Sequence, residues 1–284
     1  MNASEVKRMA LSFGADLVGI SPVSRLSHLP KEENPLSIFP QAKSLITVAR
    51  KIPRGSLRGI EEGTELNNSF NHFGFYFLED QYLAKTTYDL TIWIEAQGFE
   101  AVPMFAYDYN GQPQGVPVEP GKPAPNVFVD YQIAAQAAGL GEIGLNGLFL
   151  TPEFGPLQRF AMLLTDKELD ADTVQKPDLC TNCKACIVAC PLKALNPESV
   201  TSKGIPEMPC KVAGLNKSLC AKCRNGAIQC DEGRFNKTER IGAACGRTCL
   251  AVLEEKGLLK TRFKNKFRSS PSWERNYTGE IVQH

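Results

Sequence analysis

Cys180-Thr-Asn-Cys183-Lys-Ala-Cys186-Ile-Val-Ala-Cys190-Pro191 is the stretch on which the reading of this chain turns. Its spacing, C-x2-C-x2-C-x3-C-P, wraps three thiolates round one four-iron cube and sends the fourth to a second cube. The short gaps let Cys180, Cys183 and Cys186 converge, while the longer gap and Pro191 turn Cys190 away. Zinc sites use separated C-x2-C pairs. A disulfide framework needs an oxidising compartment, which nothing else in the sequence suggests. The motif therefore implies a protein that moves electrons one at a time.

Six further cysteines follow: Cys210, Cys220, Cys223, Cys230, Cys245 and Cys249. Two cubes need eight thiolates, so four of these six are the expected partners. Cys220-Ala-Lys-Cys223 is a chelating pair, and Cys245-Gly-Arg-Thr-Cys249 repeats the gap between Cys186 and Cys190. By that internal analogy Cys249 crosses over to the first cube. The expected sets are Cys180, Cys183, Cys186 and Cys249 on one cube, and Cys190, Cys220, Cys223 and Cys245 on the other. Cys210 competes for a place in the second set, and Cys230 is the expected bystander. The alternative for the later cysteines is a zinc site built from Cys210, Cys220, Cys223 and Cys230.

All ten cysteines lie beyond residue 179, and the polar, Pro-containing segment from Asp166 to Asp178 reads as a linker. The expected domains are therefore residues 1–170 and 171–284. A chain of 284 residues with 43% hydrophobic content buries a core without needing its cysteines as staples. Charge is unevenly spread: 18 Lys and Arg against 9 Asp and Glu from Cys180 onward, and 14 against 22 before it. Two anionic clusters account for the basic excess better than nucleic acid does, since no nucleic-acid-reading motif is present. No run approaches the ~20 apolar residues of a membrane span. Met1 to Gly14 reads as an amphipathic helix without an apolar leader core, so the expected location is cytoplasmic.

The N-terminal part alternates helical and extended patterns. Met1–Phe13 predicts a helix, Ala15–Ile20 and Ser44–Ala49 predict strands, and Asn67–Gln97 carries a long helical period that ends at Gly98. Phe99–Met104 and Arg159–Thr165 predict further strands, and Gln132–Ala138 a short helix. This order implies an α+β fold rather than a bundle. The Pro- and Gly-rich stretch from Gly111 to Pro125 reads as a lid or a surface excursion. His28, His72 and His284 offer no metal-site pattern.

The segment from Ala137 to Arg159 is rich in small residues where a helix gives way to a loop. Backbone there can approach a flat ligand, and its amides can face an anion; a plain turn-rich connection fits the same pattern. It is not a dinucleotide fingerprint, because a helix, not a strand, runs into Gly139.

Ala138-Gly-Leu-Gly-Glu-Ile-Gly-Leu-Asn-Gly-Leu148, then Leu150-Thr-Pro-Glu-Phe-Gly155, then Leu163-Leu-Thr-Asp166, then the cysteine module, resemble in order and spacing the epoxyqueuosine reductase and reductive dehalogenase superfamily. The resemblance covers Ala134 to Pro191. It implies a nitroreductase-like N-terminal domain followed by a ferredoxin-like module with two 4Fe-4S clusters. It further implies a cobalamin, with Gly139, Gly141, Gly144, Gly147, Thr165 and Asp166 lining its pocket, and Asp130 or Tyr131 as the proton donor. The implied function is a corrinoid-dependent reductase of a small substrate, fed by reduced ferredoxin or flavodoxin. Two other readings stay open: an electron-transfer or reductive-activation protein without its own substrate, and a flavin-binding reductase. Asp130 also reads as an ordinary helix N-cap. The chain departs from the family pattern at Pro-Ala-Pro-Asn-Val-Phe-Val-Asp130-Tyr131, and its later cysteines are split between Cys220–Cys223 and Cys245–Cys249.

Overall fold

Two of the most apolar runs of the N-terminal half pair with each other at the centre of the sheet. The computed structural model describes residues 1–65, 68–105, 115–223, 239–276 and 278–283. Helix α1 (Ala3–Ser12) opens with a capping box between Asn2 and Glu5, worth about 1 kcal/mol. Strands β1 (Leu17–Pro22) and β2 (Ser44–Lys51) follow, then the short helices α2 (Arg58–Glu62) and α3 (Asn68–Asn71). Two π-helical segments, His72–Tyr76 and Leu78–Leu83, run on into α4 (Ala84–Glu95). Gly98 ends this run with φ +82°, as the sequence predicts. Then come β3 (Ala101–Phe105), α5 (Tyr131–Ala137), β4 (Glu142–Ile143), β5 (Phe149–Leu150) and β6 (Gln158–Thr165).

The main sheet has the order β1-β2-β6-β3 and is antiparallel throughout. Antiparallel strands with helices packed on them match the α+β expectation. Both faces are covered, so β2 and β6 read as continuous apolar runs rather than alternating ones. On one face Ile46, Val48, Ala161 and Leu163 pack under Val6 and Ala10 of α1 and under Leu90 and Ile94 of α4. On the other, Leu45, Met162 and Leu164 meet Ala134 and Ala137 of α5.

The C-terminal half contains α6 (Ala185–Val188), β7 (Leu195–Lys203), β8 (Cys210–Leu215), α7 (Lys217–Cys220), α8 (Ala244–Glu255), β9 (Trp273–Arg275) and β10 (Ile281–Gln283). Strand β7 pairs with β8, and β9 with β10, each as an antiparallel ribbon. Among the described residues no helix is long and apolar enough to cross a membrane. The Gly111–Pro125 stretch lies partly outside the described residues; Gly115 to Gly121 is exposed and irregular.

The polar linker is docked against the sheet. The Asp172 side chain accepts from the Ile20 amide at 2.8 Å and pairs with Lys7, and Leu169 is buried with its amide on Ser44 Oγ. One hydrophobic cluster also runs across the expected break near residue 170. It joins Ile52, Leu57, Ile60, Phe70 and Leu78 to Leu179, Leu250, Leu253, Leu259 and Phe267. Burying one such side chain contributes roughly 1.5–3 kcal/mol. A charged hub reinforces the contact. Glu61 of α2 pairs at 2.5 Å with both Arg247 of α8 and Arg268 of the tail, and its carbonyl accepts from Trp273 Nε1.

Candidate iron–sulfur site and the glycine turn

The loop before α6 curls tightly. Asn182 and Lys184 adopt φ of 53° and 60°, a conformation costing about 1 kcal/mol for a residue with a Cβ. That curl turns successive cysteines of the motif to one side. Cys186 lies within electrostatic reach of Cys180 and Cys183, and Cys249 of α8 within reach of those three and of Cys245 one turn away. Four thiols, three local and one from far along the chain, thus form a first group.

A second group lies beside it. Cys190, Cys220, Cys223 and Cys245 all line one small cavity. The rest of its lining is apolar, from Pro191, Leu192, Ala194, Leu195, Leu215, Ala243 and Ala244, apart from Arg240. Helix α8 carries a cysteine of each group one turn apart, Cys245 and Cys249, about 6 Å along its axis. Cys186, inside α6, and Cys190, just beyond its end, divide in the same way.

Burial pushes the Cys186 thiol up to about 12, and its neighbouring thiols push the same way. Burial also lifts Cys245 to about 12, against the pull of Arg240, and holds Cys249 well above the usual thiol range. Thiolates in such places need a bound cation, and coordination to iron deprotonates them outright. Two backbone amides already point at sulfur: Leu145 N–H at Cys180 Sγ and Ala194 N–H at Cys190 Sγ, each at 3.2 Å. Convergent thiols, apolar walls and N–H···S bonds fit a cubane cluster. Among the described residues no three His, Cys, Asp or Glu side chains stand close enough to share a single metal ion.

Cys210 is placed apart from both groups. It is buried on β8 beside Ile143 and Phe149, with Gln136 Nε2 donating to its sulfur at 3.1 Å. The zinc alternative needs Cys210 beside Cys220 and Cys223, and the structure does not bring them together. Cys230 and His284 lie outside the described residues.

Glu142, which the sequence reading passed over, braces the first group. It is 1% exposed, and its Oε1 accepts from the amides of Leu179 and Cys180 at 2.5 and 2.8 Å. A glutamate among glycines carries no periodic signal; only the fold puts it behind Cys180.

The glycine turn closes on the chain itself. A Cβ on Gly141 would sit 2.0 Å from the Leu150 carbonyl oxygen, and one on Gly139 would sit 2.5 Å from that of Thr173. Gly144 abuts Leu148 and Leu150, and Gly147 abuts Arg240 and Val212. The small residues let β4 meet β5 and let the linker pass. Thr165 is fully buried at the end of β6, where its hydroxyl accepts from the Lys167 amide. Asp166 accepts from the Glu100 amide. Both residues finish the strand. Close packing of the chain on itself accounts for these glycines, and strand termination for Thr165 and Asp166.

Asp130 caps α5 by accepting from the Gln132 amide at 2.8 Å, and it pairs with Lys203 at 2.5 Å. Tyr131 stacks on Phe160 with ring centroids 5.6 Å apart. Burial, with Asp130 adding to it, pushes its hydroxyl up to about 12. Nearby, Arg159 of β6 is buried against Glu239 at 2.6 Å, Glu79 at 3.4 Å and the Gly74 carbonyl at 2.8 Å. Burial works against its charge, but Glu239 and Glu79 outweigh burial and hold the guanidinium protonated. Gly74 and Glu79 both belong to the π-helical segments, a rare geometry enriched at functional sites.

Residues 174–196 match the model of the 4Fe-4S binding domain. A tetrachloroethene reductive dehalogenase of Desulfitobacterium hafniense is 33% identical over 134 residues, 46% of this chain and 20% of that protein. An epoxyqueuosine reductase of Gloeobacter violaceus is 29% identical over 179 residues, 62% of this chain and 49% of that protein. The chain is related to the reductive dehalogenases and epoxyqueuosine reductases. It carries their oxidoreductase-type 4Fe-4S motif and spans about a fifth of the length of the dehalogenases it matches. A solved reductive dehalogenase, described as having a mechanism of B12-dependent dehalogenation, superposes with a TM-score of 0.57 at 15% identity. That superposition covers 86% of this chain and 31% of the other, a likeness of fold.

Proposed function

We propose that this chain is an iron–sulfur reductase that passes electrons singly through two 4Fe-4S cubes. The observation that carries the reading is the cavity lined by Cys190, Cys220, Cys223 and Cys245, with Cys249, one turn along α8 from Cys245, within electrostatic reach of Cys180, Cys183 and Cys186. Cys180, Cys183, Cys186 and Cys249 would hold one cube, and Cys190, Cys220, Cys223 and Cys245 the other. When bound, the cubes supply one-electron chemistry at low potential. The residues around them exclude water, donate N–H groups to sulfur and fix the spacing. The electron donor we propose is a reduced ferredoxin or flavodoxin.

The relationship to B12-dependent enzymes supports a cobalamin as the acceptor, and a small molecule as the final substrate. Close packing accounts for the glycine turn, so no step is routed through it. Tyr131 keeps its proton at neutral pH and is the better placed of the two candidates to donate one; Asp130 is committed to capping α5 and to Lys203.

The test is anaerobic reconstitution followed by assay of iron, sulfide, zinc and cobalt. About eight iron and eight sulfide per chain are expected. One cube with one zinc would remove the two-cube reading. Equilibrium dialysis against cobalamin decides the acceptor: no binding by protein holding both cubes leaves an electron carrier without its own substrate or a flavin-binding reductase, which the visible spectrum separates.

A further inference from the structure

The two thiol groups are alike in donors, but Cys183 of the first is exposed while no thiol of the second is, and their charged surroundings differ as well. Arg240 lines the cavity of Cys190, Cys220, Cys223 and Cys245, where every other lining residue is apolar or a thiol. Its guanidinium is pinned by two backbone carbonyls of the glycine turn. Nη1 donates to Asn146 at 2.6 Å and Nη2 to Gly147 at 3.4 Å. The Gly147 carbonyl is held in turn by Gln132 Nε2 at 2.8 Å. Gly147 adopts φ +72°, and a Cβ there would stand 3.3 Å from Arg240 Nη2. The turn therefore leaves room for the arginine and fixes its direction. For the first group the bracing charge has the opposite sign, being the Glu142 carboxylate behind Cys180.

We infer that Arg240 is a positioning residue that raises the reduction potential of the second cube above that of the first. The inference rests on the two-cube reading above. A reduced cube carries one more negative charge than an oxidised one, so a cation fixed in a low-dielectric wall favours the reduced form. A carboxylate does the reverse. The pair then forms a graded step in which the electron rests on the cube held by Cys190, Cys220, Cys223 and Cys245. The glycine turn is part of that device, because its carbonyls aim the guanidinium.

The experiment is a redox titration of reconstituted protein, followed by low-temperature paramagnetic resonance, on the wild type, Arg240→Gln and Arg240→Lys. Arg240→Gln is expected to keep both cubes and to lower one potential at least ten-fold in equilibrium constant, about 59 mV for one electron. The other potential is expected to move by less than a third of that. Arg240→Lys restores the charge and is expected to recover at least half of the shift. Equal shifts of both cubes, no shift, or a Lys variant matching the Gln variant overturn the inference while leaving two cubes in place. If Arg240→Gln loses the second cube, Arg240→His replaces it. Its second-cube potential should then fall from pH 5.5 to pH 8.5 by more than the wild type's, as the imidazole discharges, and a wild-type profile overturns the inference. Wild-type protein with only four iron overturns the two-cube reading, and this inference with it.

Discussion

The first thiol group takes three of its members from seven consecutive residues, Cys180 to Cys186, whereas the second gathers Cys190, Cys220–Cys223 and Cys245 from across the module. One is wound by a tight loop with left-handed residues at Asn182 and Lys184. The other is assembled by packing of α6, α7 and α8, with Arg240 as its wall. Local spacing suffices to build the first. Tertiary contacts build the second, and the same contacts deliver Cys249 to complete the first.

The largest expected effect breaks that comparison at the one distant residue the first group depends on. Cys249→Ser should cost the protein one cube, about four of eight iron, although Cys249 is remote in sequence from the motif. Cys210→Ser should leave both, since its sulfur faces Gln136. Iron assay with paramagnetic resonance reads both outcomes, and a lost signal in the Cys210 variant would show that the groups are drawn wrongly.

Next in size is the hub that fixes α8 to the N-terminal half. Glu61→Ala strands the buried Arg247, and Arg268 beside it, at a cost of about 3–5 kcal/mol. Burial already lowers the Arg247 pKa against the pull of Glu61. Both groups should loosen together, because α8 serves both. Denaturant unfolding of the reconstituted chain measures the cost, and a midpoint unchanged from wild type would mean that the hub is not what anchors α8.

A smaller change should act on the first group alone. Glu142→Ala leaves the amides of Leu179 and Cys180 without their acceptor, at roughly 1–3 kcal/mol each if no water replaces it. The cube on Cys180 should then be lost sooner on exposure to air or chelator, while the second persists. Equal lability of both cubes would count against a brace specific to the first.

The smallest effect concerns the groove outside Cys190, about 870 Å³, where Glu274 is buried. Burial raises its carboxyl to about 7, against the pull of Arg247. A carboxyl whose folded pKa lies above its unfolded one favours the native state most below the unfolded value, and that advantage is lost as pH rises toward 7. Melting temperature should therefore fall by about a few degrees between pH 5 and pH 8. Glu274→Gln should flatten that part of the profile; an identical slope in the variant would assign the pH dependence elsewhere.

The strands and helices of the N-terminal half were largely legible because each is a long run with one period. Ser44–Ala49 and Arg159–Thr165 are mostly apolar and buried throughout, and both lie at the doubly covered centre of the sheet. The interrupted helix was legible as helix but not as π-helix, since a wider turn leaves no mark on the periodicity of the side chains. The ribbons β7–β8 and β9–β10 were not foreseen. β9 and β10 have three residues each and β7 is mostly polar, so these ribbons are defined by partners rather than by pattern.

The sequence by itself determined the 4Fe-4S motif of Cys180 to Cys190, because short spacing alone lets neighbouring thiols reach a common centre. It also proposed two sets of four thiols, since the x3 gap recurs at Cys186–Cys190 and Cys245–Cys249. Only the tertiary structure decided the role of the glycine turn. A run of small residues signals close approach without saying what approaches, and at Gly139 and Gly141 it is the chain's own backbone. Glu142, Arg240 and the Glu61–Arg247–Arg268 hub were likewise decided by the fold. Single charged residues carry no pattern in sequence, and their meaning comes from burial and from the partner that burial forces on them.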